Sequence, residues 1–129
     1  MTINELMTRL DDLIPNQYGP DHKLRWLNEV EQAIHREILL PHEGDRPETF
    51  TPYETADDTQ LLIPSPYDRV YLLYLESRIH YHNGETARYN NAAAACEAAW
   101  EELRNWVNRT HAPVRQAKAL SLTGGTPCI

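Results

Sequence analysis

A chain of 129 residues, 41% of them hydrophobic, has room for one domain with a modest core and none for a second of ordinary size. Its formal charge of -7, from 12 basic and 19 acidic side chains, disfavours specific nucleic-acid binding, which draws its affinity from Lys/Arg neutralisation of phosphates. Cys96 and Cys128 give neither a CxxC pair nor a disulfide framework. The first residues lack a signal peptide's basic and apolar regions, and no apolar run approaches membrane-spanning length, so a soluble chain in a reducing cytoplasm is expected.

Thr2 and Glu5 have capping-box spacing, and Ile3, Leu6, Leu10, Leu13 and Ile14 then recur at helical intervals until Pro15, which predicts a first short helix. After a turn over 16 to 20, Asp21 can cap a second helix. Its stripe is Leu24, Leu27, Val30, Ile34 and Ile38, widened by Trp26 and Ala33, with Arg25, Glu29, Gln32 and Arg36 on a solvated face, and Pro41 ends it.

From 41 to 64 the periodicity breaks, with four prolines, Gly44 and an excess of acids. The expectation is an irregular ordered loop or a short β-hairpin turning at Asp57-Asp58. A connection this long in a small domain suggests function, and Phe50, Tyr53, Leu61, Leu62 and Ile63 gain by burial against the domain or a partner.

The stretch 66 to 83 organises the chain. Ser65 is a candidate N-cap, Pro66 suits the first helical position, Asp68 faces the positive end of the dipole, and Asn83-Gly84 supplies the left-handed stop. Tyr67, Tyr71, Tyr74 and Tyr81 lie near one side and Leu72, Leu75 and Ile79 on another, a surface wide enough to need several neighbours, so this is the expected central helix. A long helix over 85 to 110 follows, with Tyr89, Ala92, Ala93, Cys96, Ala99, Trp100, Leu103, Trp106 and Val107 spaced by threes and fours, and the short connection makes the two an αα-hairpin. Residues 112–129 contain Thr123-Gly-Gly-Thr-Pro, two bases and no acid, and read as a flexible tail. The fold class expected is therefore mainly α: a small helical bundle of about four helices with a long αα-hairpin, residues 1–111 forming the domain.

Candidate chemistry is sparse. His80-Tyr81-His82 puts two histidines two residues apart, which on a helix point in different directions, whereas a metal pair needs i,i+3 or i,i+4 spacing. His22, His35, His42 and His111 lack local carboxylate or cysteine partners and read as ordinary surface or partly buried histidines. The pairs Asp11-Asp12, Asp57-Asp58 and Glu101-Glu102 fit turns and solvated faces. With no phosphate loop, no GxSxG and no cysteine beside a base, no catalytic, cofactor or metal residues are assigned, and an enzyme is not expected. The tyrosines of the central helix lack interleaved Lys/Arg for a base-stacking platform and read as scaffold or subunit packing.

At Ile63-Pro-x-Pro-Tyr-x-x-Val-Tyr-x-x-Tyr-Leu, Ile79-x-Tyr-x-Asn-Gly-Glu, Tyr89-Asn-Asn and Trp106-x-Asn-Arg-Thr-His, the chain resembles small head-tail connector, or adaptor, proteins of tailed phages and prophages of Gram-positive bacteria. The resemblance spans most of 2 to 111. It implies a non-enzymatic homo-oligomeric ring under the portal that bridges capsid to tail. Its partners would be the portal and tail or head-closure proteins, with DNA only passing through. The location implied is the virion, and the host cytoplasm during assembly. On this reading Phe50, Tyr53, Leu61, Leu62 and Ile63 in the loop, and Arg115 and Lys118 in the tail, are the interface candidates. The alternative is another phage-encoded helical interaction protein, a regulator or packaging accessory, acting as a small oligomer.

Overall fold

The computed structural model describes residues 1–114. Four α-helices account for its regular structure: α1 (Ile3–Leu13), α2 (Pro20–Ile34), α3 (Arg69–His82) and α4 (Thr86–Thr110), with α2 continuing into a π-helical turn, His35–Leu39. The expected small helical bundle with a long αα-hairpin is the fold observed.

α1 begins on the capping box read from the sequence. The Glu5 N–H donates to Thr2 Oγ1 at 3.2 Å and the Thr2 N–H to Glu5 Oε1 at 2.8 Å. α2 starts differently from expectation. Its N-cap is Gly19 and Pro20 occupies the first turn, where the missing N–H costs nothing, so Asp21 lies inside the helix as an acid near the positive dipole end.

α3 packs against α1, α2 and α4, and so is the central helix. It begins at Arg69 rather than Pro66, because the preceding residues form a turn closed by the Tyr67 N–H on Pro64 O at 3.0 Å. The Ser65 hydroxyl donates to Asp68 Oδ2 at 2.9 Å and does not cap the helix. The far end follows expectation: Gly84 has φ +74°, the Glu85 N–H donates to His80 O and the Gly84 N–H to Tyr81 O, a Schellman closure that turns the chain into α4. α4 buries Ala92, Cys96, Ala99, Trp100, Leu103 and Val107, spaced by threes and fours. These meet Val70, Tyr71, Leu75 and Ile79 of α3, Ile3, Leu6 and Leu10 of α1, and Leu27, Val30, Ile34 and Ile38 of α2 in one core.

The segment 41–64 is an ordered irregular loop. The hairpin at Asp57-Asp58 is not formed, since the strand-like carbonyls are used elsewhere. Thr59 O and Asp57 O accept the Ile3 and Asn4 N–H groups, both at 3.0 Å, and the Leu61 N–H donates to Met1 O. Ile3 and Asn4 open α1, so their N–H groups have no intrahelical acceptor, and the loop satisfies them. Among the described residues the only bridges are isolated ones, Thr2 with Gln60 and His42 with Pro113.

Candidate functional site: a loop clamped on a buried glutamate

Asn28, Glu31 and His35 share one face of α2, and each holds the loop. Asn28 grips Tyr53 as a strand would: its Nδ2 donates to Tyr53 O at 3.0 Å and its Oδ1 accepts the Tyr53 N–H at 2.8 Å. His35 Nε2 donates to Pro47 O at 2.7 Å, and its ring lies 6.3 Å from that of Phe50. Between them Glu31 is wholly buried. Its Oε1 accepts the Tyr71 hydroxyl at 2.6 Å, and its Oε2 accepts the Tyr53 hydroxyl at 2.7 Å and the Leu62 N–H at 3.0 Å. The Tyr71 oxygen in turn accepts the Ile63 N–H at 3.0 Å. Helix α2, helix α3 and the loop therefore meet on one carboxyl group.

Burial pushes the Glu31 carboxyl above the ordinary carboxylate range, against the three donors that favour its charge. The same burial and the facing carboxylate hold the Tyr53 and Tyr71 phenols protonated far into alkaline pH. With its oxygens occupied by protein donors and no side exposed, the group is arranged for holding rather than for reaction.

The interface candidates divide. Leu61 and Ile63 lie in the chain's own core, while Phe50, Tyr53 and Leu62 are half-buried and retain surface for a partner. Arg115 and Lys118 lie outside the described residues. Of the expected tail, 112–114 belong to the domain: the Glu43 N–H donates to Ala112 O at 2.7 Å and the Val114 N–H to Pro41 O at 2.8 Å.

The opposite end of the α3–α4 hairpin carries the histidines. His80 and His82 diverge as their spacing requires. His80 is buried, with Nδ1 2.9 Å from Glu85 Oε1 and Nε2 3.4 Å from Glu76 Oε2, and its hydrogen bond holds the Glu85 carboxyl below its ordinary range. An open cleft of about 440 Å³ beside it is lined by Leu13, Asn83, Glu85 and Arg88 among others. His82 is exposed and stacks on Trp26, ring centroids 5.4 Å apart and 12° between planes. Tyr18 packs edge-on against Trp26 and His82, and Tyr81 joins His82 to Tyr89. Arg78 lies over the rings of Tyr74, Tyr81 and Tyr89 at 5.0 to 5.6 Å.

Among the described residues no three His, Cys, Asp or Glu side chains are grouped to hold a metal, and no helix is long and apolar enough to cross a membrane. The carboxylate pairs are structural: Asp11 pairs with the buried Lys23, Asp58 accepts from Asn4, and Glu102 pairs with Arg69.

Glu31 and the buried position of His80 were not read from the sequence. For Glu31 a signal existed, since position 31 falls between Leu27 and Ile34 on the apolar stripe, where an acid is expected to be buried or paired. Comparison of the chain with family models, with curated proteins and with solved structures gives no match.

Proposed function

We propose that this protein is a non-enzymatic head-tail connector of a tailed phage or prophage, assembling as a homo-oligomeric ring that joins the portal to tail or head-closure proteins at the head-tail junction. The observation that carries the reading is what the resembling segments do in the fold. Ile63 and Tyr71 join the loop to Glu31. Tyr67 stacks on Trp106 with centroids 4.7 Å apart, Asn108 Oδ1 lies 2.8 Å from His42 Nε2, and Asn83-Gly84-Glu85 closes the hairpin. The residues that carry the resemblance thus fix a loop and a hairpin in a rigid relation, which a docking part needs. The charge of -7 suits a passage for DNA, since like charge repels phosphates at short range.

The test is to mix the purified chain with the portal protein of a tailed phage or prophage that encodes the chain and to image the complex. The expected result is an added ring of density at the portal's tail-facing end. A chain that sediments as a small oligomer and never binds portal overturns the connector reading in favour of a regulator or packaging accessory.

A further inference from the structure

Two unlike surfaces lie on opposite sides of α2. At about 100° per residue, His22, Trp26 and Glu29 fall on one side and Asn28, Glu31 and His35 on the other. The first side continues into the aromatic strip of Tyr18, Trp26, Arg78, Tyr81, His82 and Tyr89. The second side carries the acidic loop.

Its accessible part, the exposed Tyr81 and His82 with the partly buried Tyr18, Arg78 and Tyr89, has the tyrosine and arginine of an interface hot spot and rests on the buried Trp26. Tyr81, at 56%, is one of the two large hydrophobic side chains most exposed among the described residues. Arg78 has no carboxylate within salt-bridge distance among the described residues. Its Nε is buried without a hydrogen-bond partner, and its Nη2 reaches only Tyr89 Oη at 3.4 Å. Arg78 thus has aromatic rings beside its guanidinium and no carboxylate. The loop supplies anions: residues 43 to 58 hold six acids and one base, with Asp45 and Glu54 exposed beside the half-buried Phe50 and Tyr53.

We propose that the aromatic strip of one copy receives the acidic loop of the next copy, Arg78 meeting a loop carboxylate and Tyr81 packing against the Phe50–Tyr53 edge. Because the two surfaces differ and lie on opposite sides of one helix, the contact is head-to-tail and propagates from copy to copy, closing into a ring when the rotation permits. The inference rests on the connector reading and names the contact within its ring.

Two variants, each blocked on one side, test it. Tyr81→Ser spoils the strip and Asp45→Lys with Glu54→Lys spoils the loop, all at exposed positions, with thermal melts checking that each variant folds. Sedimentation of the wild type is expected to give higher oligomers, and each variant alone to need at least tenfold higher concentration to associate. An equimolar mixture, which has one intact strip and one intact loop, is expected to stop at the 1:1 heterodimer. Unchanged assembly of either folded variant, a mixture that stays monomeric, or a wild type that stays monomeric at millimolar concentration overturns the contact. Portal binding is scored separately: a monomer that still binds portal sinks this contact and leaves the connector reading standing.

Discussion

At the scale of single residues, the loop is held by an acid in the core. Replacing Glu31 by Gln keeps the size but removes one acceptor and adds an N–H facing the Tyr53 hydroxyl and the Leu62 N–H, so a buried donor loses its partner. A buried donor left without its partner costs about 1–3 kcal/mol, and Glu31→Gln is expected to lower unfolding stability by about that amount in a denaturant titration. The pH dependence carries a definite sign. A folded-state pKa raised above the reference 4.5 means that the native state holds this proton more tightly than the unfolded chain. Its stabilisation is present below 4.5 and lost as pH rises through the raised value. Glu5, Asp57 and Glu85, held below their ordinary values by hydrogen bonds, act oppositely but equally in both proteins. The stability difference between wild type and Glu31→Gln should therefore shrink from pH 4 to pH 7, and a constant or growing difference would show that the donors outweigh burial. Little of this was legible in the sequence beyond the acid on the stripe. Its partners Tyr53 and Tyr71 are 22 and 40 positions away, and helical periodicity says nothing about which distant hydroxyl will reach it.

At the scale of elements, two helix ends were legible from local signals, the capping box of α1 and Gly84 after α3, whereas the start of α2 was misplaced, since Gly19 and not Asp21 is its N-cap. The errors fall where a local signal competes with a tertiary one. Ser65 has the chemistry of an N-cap, but Asp68 takes its hydroxyl. The segment around Asp57-Asp58 has the look of a hairpin, but the opening N–H groups of α1 take its carbonyls. Pairing with a helix start leaves no mark in a period-two pattern. The loop's first bend is equally specific. Gly44 sits at φ +142°, and a Cβ added there would meet His111 Cδ2 at 2.5 Å. Both the backbone conformation and the space are closed to alanine, so Gly44→Ala is expected to cost about 1–3 kcal/mol. Amide exchange should report the loss first at the Glu43 and Val114 N–H groups, where the loop meets the segment after α4. A melting temperature unchanged by Gly44→Ala would mean that the loop relaxes without help from α4.

At the scale of the whole molecule, the contribution of residues 112–114 can be measured by truncation. Ending the chain after His111 removes the acceptor of the Glu43 N–H, the Val114 donor to Pro41 O and the bridge to His42. Backbone hydrogen bonds contribute about 0.5–1.5 kcal/mol each, so this truncation should lower stability by about 1–3 kcal/mol. Ending it after Val114 keeps all three of these contacts. The shorter chain would then confound loss of fold with loss of docking, and the longer one separates them. If Arg115 and Lys118 contribute to portal docking, the chain ending at Val114 keeps its fold and loses portal binding, and adding salt to the full-length protein weakens binding in the same direction, as expected of exposed charges. If that chain docks as well as the full-length protein, the tail has no part in assembly. Of the loop candidates, Leu62, half-buried and outside the proposed contact between copies, is then the residue whose substitution by Asp should weaken docking, read in the same portal-binding measurement.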